Sequence, residues 1–123
     1  MIRIALIYPD IPQNTGNVAR LCVGLAAELH LVHPMGFILD DKKLKRAGLD
    51  YWPDLKLVEH NSLEAFLIAH KKERMFFLTT KAKKLYTETK FNDGDFLVFG
   101  AESKGLPESF RRPRRIAAGV LGV

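Results

Sequence analysis

The sequence has little of what would move it out of the ordinary globular class. It holds one cysteine, Cys22, in 123 residues. That excludes an internal disulfide framework and predicts a reducing, cytoplasmic setting. No apolar run approaches the ~20 residues that cross a bilayer as a helix. Met1-Ile2-Arg3 leads straight into an apolar strand, so no signal-peptide architecture is expected. Internal repeats and low-complexity linkers are lacking as well. No phosphate-cradling turn is visible: Gly105 is followed by Leu106 where a Walker loop has lysine, and no G-x-G-x-x-G occurs. His30 and His33 stand three apart in a strand and point to opposite faces, and His60 and His70 have no ligand-spaced partners. No metal site is therefore expected. No Ser-His-Asp order or nucleophile elbow appears, and Cys22 lies in a helix's apolar stripe, where a thiol is inert. A hydrolase or metalloenzyme is disfavoured.

What is present is a globular composition, 47% hydrophobic and 27% charged, on a chain long enough for one domain. Nineteen lysines and arginines against fourteen acids give a formal charge of +5, which invites a nucleic-acid reading. Four of those arginines (Arg111, Arg112, Arg114, Arg115) crowd the last stretch, where there is no acid, leaving the first 110 residues at +1. Local clusters must carry the RNA argument. KKLKR (Lys42 to Arg46) is one such cluster, although a solvated helix face is its commoner explanation.

Short apolar runs predict strands at Ile2 to Tyr8, Leu29 to His33, Leu55 to Val58, Arg74 to Thr80 and Phe96 to Phe99. Between the first two, Asn14 or Thr15 can cap a helix reaching Glu28, with Val18, Leu21, Cys22 and Leu25 forming its buried face. Asp40 to Ala47 predicts a short helix with acids first and bases later, stopped by Gly48. Asn61-Ser62-Leu63-Glu64 predicts the capped start of an amphipathic helix to about Lys71. Strands alternating with helices give an α/β class: one domain, a parallel sheet with flanking helices.

Ligands of an open parallel sheet lie beyond the carboxyl ends of its strands. Three such ends carry distinctive loops: PDIPQNTGNVAR, LTTKAKK and GAESKGLP. All three are expected to open on one edge. Gly100 to Pro107 can bend tightly and expose backbone groups to a ligand, or can simply be a turn ahead of a helix at Pro107. Asn14-Thr15-Gly16-Asn17 with Arg20 can meet an anion at a helix start, or can be a helix end with a solvated arginine.

PDIPQNTGNVARLC, HPMGFILDDKKLKRAGLDYW, FFLTT and FGAESKGLP, in this order, resemble the knotted SPOUT-class RNA methyltransferases. Within that class they are most similar to the small tRNA enzymes that 2′-O-methylate the wobble cytidine or uridine. The resemblance runs from residue 1 to about Glu108. It implies an α/β-knot fold, S-adenosylmethionine as cofactor, tRNA as substrate and a homodimer, with no metal and no membrane. Carried over residue by residue, it implies cofactor contacts at Leu78, Thr79, Gly100, Glu102 and Gly105. Asn14, Gly16, Asn17 and Arg20 match the first motif, Arg20 being the catalytic position, and Arg46 matches a basic position that contacts tRNA. A guanidinium stays protonated in proteins. Arg20 is therefore read as a clamp that holds a phosphate and stabilises developing alkoxide charge, not as a base.

After Glu108 the chain reads SFRRPRRIAAGVLGV where the family has an Arg-Ile-Pro strand and an Asn/Ser-rich third motif. This predicts a methyltransferase domain over 1–123 that is truncated or altered after about residue 108, with an incomplete cofactor wall, an uncovered sheet edge and a knot that need not close. Two readings follow: a tRNA ribose methyltransferase, or a catalytically impaired remnant that binds only RNA or a partner chain. A generic flavodoxin-like nucleotide binder is disfavoured by the missing phosphate turn.

Overall fold

The computed structural model describes residues 2–36, 54–79, 92–100 and 119–122, and the side chains of 78–79 and 119–122 are not among what it describes. Five expected strands are present: β1 (Arg3–Ile7), β2 (Glu28–Val32), β3 (Lys56–His60), β4 (Met75–Thr79) and β5 (Phe96–Phe99). A sixth, β6 (Gly119–Gly122), completes one sheet in the order β3-β2-β1-β5-β4-β6. All five pairings are parallel. β6 lies against β4 from Phe76↔Gly119 to Thr79↔Gly122; an uncovered sheet edge was expected, and the backbone edge of β4 is paired. The Asp40–Ala47 helix and the knot-forming stretch after Gly100 lie outside the described residues.

Alternation along each strand serves two layers, because successive side chains leave opposite faces of the sheet. One face gathers Ala5, Ile7, Val32, Met75, Phe77, Phe96 and Val98 beneath the second helix, α2 (Leu63–Ala69), which contributes Leu63 and Phe66. The other gathers Leu6, Leu29 and Leu31 with Ala19 and Cys22 of the first helix, α1 (Pro12–Leu25). Both faces are covered over β1, β4 and β5, which is why these strands are largely continuous apolar runs, whereas β3 is mostly exposed.

The helices show where tertiary packing overrode pattern. α1 begins at Pro12, with Ile11 at its N-cap and no side-chain cap, so neither Asn14 nor Thr15 caps it. A proline in the first turn lacks an N–H that would have no helical partner anyway. Its buried residues are Thr15, Gly16, Ala19 and Cys22, whereas Leu21 and Leu25 are 59% and 65% exposed. The expected leucine stripe is thus rotated outward. Small side chains face the sheet, letting the helix backbone approach closely. α1 ends at Ala26, whose left-handed φ of 54° lets its N–H reach the carbonyls of Cys22 and Val23. α2 starts as expected: the Ser62 hydroxyl accepts from the Ala65 N–H at 3.0 Å, a cap worth ~1 kcal/mol.

Candidate active site

Register decides what the strand ends bring together. Leu6 pairs with Phe99, and Phe99 pairs with Leu78. The carboxyl ends of β1, β5 and β4 therefore lie side by side on one edge, as the chain direction of a parallel sheet requires. Gly100 follows β5 at this rim, one strand from the Leu78–Thr79 backbone. The loop from Pro9 leaves β1 at the same rim and opens α1, which runs back along the sheet.

The start of the rim loop is tightly seated. Tyr8 has a left-handed φ of 54°, a conformation that costs on the order of 1 kcal/mol for a residue with a side chain. Its N–H is held by the Val32 carbonyl at 3.0 Å. Gly36 donates to the Pro9 carbonyl at 2.9 Å. A Cβ at Gly36 would stand 3.0 Å from the Asp10 Cα, so a side chain there would crowd the segment after β2 against the loop after β1. Thr15 is fully buried at the start of α1, and its Oγ1 has no hydrogen-bond partner among the described residues. One polar atom there is thus not committed to the fold.

Asn14, Asn17 and Arg20 are all exposed. At i, i+3 and i+6 they share one face of α1, turned away from the Ala19–Cys22 stripe. That face offers two amides and a guanidinium, a donor set suited to phosphate and hydroxyl groups. Gly16, from the same motif, is buried beneath them. Leu78 and Thr79 are placed by their backbone only. Arg46, Glu102 and Gly105 lie outside the described residues.

Cys22 is 1% exposed, and burial pushes its thiol up to about 11. It is therefore protonated at neutral pH, in keeping with the inert thiol expected. Alkylation of the native protein by iodoacetamide at pH 8 should be negligible over the time in which a denaturant-unfolded sample reacts fully, because the thiolate is the nucleophile. Mass spectrometry of the two samples checks this, and equal labelling would contradict it.

The far end of the sheet holds a different network. Arg3 donates through Nε to the Gly94 carbonyl at 3.1 Å and through Nη1 to Glu73 at 3.1 Å, and its guanidinium lies 4.0 Å from the centre of the Phe96 ring. The buried Asp95 accepts from the Asn92 N–H at 2.7 Å and pairs with Arg74. These contacts tie the starts of β1, β4 and β5 together.

Sequence spacing missed one cluster altogether. His30 of β2, His60 at the end of β3 and His70 after α2 converge, one ring nitrogen of each lying within 4.8 Å of the other two. The expectation that His60 and His70 lack partners is corrected. The register of β3 on β2 pairs His60 with Val32, which puts it diagonally across from His30 on the same face, and the chain after α2 returns His70 to the same place. His33 does face away, pairing with Glu59 at 2.8 Å. Burial lowers His60 to about 4, with His30 and His70 nearby adding to the effect. Burial also holds His30 below its ordinary value, against its hydrogen bond to the Glu28 carboxylate, which favours the charged form. Both are neutral at pH 7. Alternation along β2 was the one available signal, since it puts His30 on the inward face with Val32.

Among the described residues no helix is long and apolar enough to cross a membrane. Comparison with known proteins agrees with this layout. The tRNA (cytidine(34)-2'-O)-methyltransferase of Escherichia coli strain K12 is 47% identical over 109 residues, spanning 89% of this chain and 69% of that protein. The protein of that name from Methylovorus glucosotrophus strain SIP3-4 is 49% identical over 111 residues, spanning 90% and 72%. A solved structure from work on 2-OH methylation of C/U34 on tRNA matches with a TM-score of 0.92 at 44% identity, over 100% of this chain and 79% of that one. A SpoU methyltransferase of Streptomyces viridochromogenes, solved with AdoMet, shares the fold at 17% identity with a TM-score of 0.83, over 98% and 47%. The model of the SpoU rRNA Methylase family matches residues 1–116, and the chain belongs to that family.

Proposed function

We propose that this chain transfers a methyl group from S-adenosylmethionine to the ribose 2′-OH of the wobble nucleotide, cytidine or modified uridine, of tRNA. The observation that carries the proposal is the common rim: Leu78–Thr79 and Gly100 adjoin through in-register strands, and α1 starts from the end of β1 in the same sheet. The names of the relatives at 47% and 49% identity supply the substrate, and the whole chain is read as one methyltransferase domain.

The residues present fit the cofactor. Two parallel strand ends offer backbone N–H and C=O groups side by side, Gly100 keeps one of them free of a side chain, and Thr15 leaves a buried hydroxyl uncommitted. Leu78, Thr79 and Gly100 would hold it, joined by Glu102 and Gly105. S-adenosylmethionine would supply a methyl carried on a sulfonium, an electrophile for an in-line displacement. This chain's own task is alignment, exclusion of water and management of charge. Arg20 clamps a phosphate of the substrate with its planar fork and stabilises the charge growing on the 2′ oxygen. Asn14 and Asn17 orient the nucleotide, Arg46 meets the tRNA backbone, and the 2′-OH proton passes to phosphate or water. The homodimer belongs to the same proposal: Leu21 and Leu25 are exposed on α1, apolar surface that a second copy would cover. The cytoplasm, where tRNA is modified, is the proposed compartment.

The test is transfer of labelled methyl from S-adenosylmethionine to tRNA, with nucleoside mass spectrometry locating the product. The expected result is a 2′-O-methylated nucleoside at position 34. Calorimetric silence toward the cofactor, with the fold intact by circular dichroism, would overturn the enzyme reading in favour of a chain that only binds RNA.

A further inference from the structure

We propose that His30, His60 and His70 form a three-histidine site for a divalent transition-metal ion of the zinc class, pinning β2, β3 and α2 together. The site uses none of the residues placed at the rim and does not depend on the methyl-transfer reading.

Three observations carry the assignment. The first is convergence: residues 30, 60 and 70 come from three separate elements, and their ring nitrogens meet within 4.8 Å. His30 Nδ1 and His60 Nε2 are 2.9 Å apart. Tetrahedral zinc, with Zn–N of 2.0–2.1 Å, needs its ligand nitrogens about 3.3 Å apart. The closest pair must open slightly and the widest must close by about 1.5 Å, which ring rotation can supply.

The second is orientation. Histidines that bind metals almost always donate their other ring N–H to a carboxylate, carbonyl or water. His30 Nε2 lies 3.0 Å from Glu28 Oε1, which leaves Nδ1 as its lone pair. His70 Nδ1 is hydrogen-bonded to Glu73, which leaves Nε2, and Glu73 is in turn held by Arg3 at 3.1 Å. Two of the three rings therefore already have the carboxylate partner that fixes the ligating tautomer. Without metal, His60 donates from Nε2 to His30 Nδ1. With metal, its proton moves to Nδ1 and Nε2 ligates.

The third is setting. Phe66 and Phe96 wall the cluster, with ring centroids 4.9 Å from His60 and 4.8 Å from His30, while His60 and His70 are only half-buried. The rings are held against two aromatic walls and reach solvent at His70. Three protein ligands leave a fourth position for water. A histidine that merely packs among aromatics needs neither a carboxylate on its far nitrogen nor two other imidazoles on its near one.

The experiment uses the full chain without a histidine tag, stripped with EDTA, then titrated with Zn²⁺ by calorimetry and with Co²⁺ by visible absorption. One ion should bind per chain, and Co²⁺ should give the intense bands of a tetrahedral site. His70→Gln should weaken Zn²⁺ binding at least tenfold. Glu28→Gln should weaken it by roughly 10- to 100-fold, the usual effect of losing such a carboxylate. His33→Gln, outside the cluster, should leave affinity unchanged, and Zn²⁺ should raise the Tm of the parent chain. Circular dichroism of each metal-free variant confirms that it folds. Absence of saturable binding at millimolar Zn²⁺, a weak octahedral Co²⁺ spectrum, or parental affinity in a folded His70→Gln variant would each overturn the proposal.

Discussion

Replacing Arg20 with lysine should lower the turnover of methyl transfer to tRNA by on the order of 10²- to 10³-fold, about 2.7–4 kcal/mol of transition-state stabilisation. The charge is kept, so the loss measures what the planar fork does. A guanidinium can bind two oxygens at once and hold them in a plane, whereas an ammonium acts as a compact, strongly hydrated point charge. If Arg20 spans a phosphate and the oxygen on which charge develops, lysine reaches one of them. Arg20 is exposed on α1, outside the Ala19–Cys22 stripe, so the variant should unfold within about 0.5 kcal/mol of the parent. Single-turnover kinetics with saturating tRNA and cofactor make the comparison. Near-parental turnover in a folded lysine variant would show the fork to be dispensable and remove the clamp from the mechanism.

Replacing Phe66 with alanine should cost ~3–5 kcal/mol of folding stability, out of a total that for a domain of this size is ~5–15. Phe66 is fully buried and is the main residue by which the seven-residue α2 enters the core. Its ring lies 4.9 Å from His60, 5.3 Å from Phe96 and 5.5 Å from His70. So short a helix has little stability of its own, and the neighbours that would have to collapse into the cavity are aromatic rings fixed by their own contacts. Urea unfolding followed by circular dichroism gives the difference. A loss below about 1 kcal/mol would mean that α2 is not anchored by this ring. Leucine at the same position should recover most of the stability, since it refills most of the volume.

β1, β4 and β5 were legible because central strands of a parallel sheet covered on both faces are apolar runs, and the shorter apolar stretches at Leu29 and Leu55 marked β2 and the more exposed β3. The rim was legible for a related reason. Once the strands are parallel, chain direction alone puts the residues that follow β1, the end of β4 at Leu78–Thr79 and Gly100 after β5 at one edge, whatever the details of register. The α2 start was also legible, since Ser62 satisfies a local backbone need that no distant contact alters. The face of α1 was not. Apolar periodicity gives leucine more weight than alanine or glycine, yet the helix approaches the sheet through Thr15, Gly16, Ala19 and Cys22 and leaves Leu21 and Leu25 outside. β6 was hidden because GVLG has two glycines and little intrinsic strand preference. Its pairing comes from the row of backbone groups that β4 presents.

The amino-acid sequence alone therefore determined the class of fold, the direction of its strands and the edge at which a ligand can be gripped. These follow from local burial patterns and from chain polarity. The tertiary structure alone decided which side of α1 faces water, what covers β4, and that three histidines meet beneath α2. Those outcomes depend on register and on the return path of a helix. Both act between residues tens of positions apart, where spacing along the chain carries no information about distance in space.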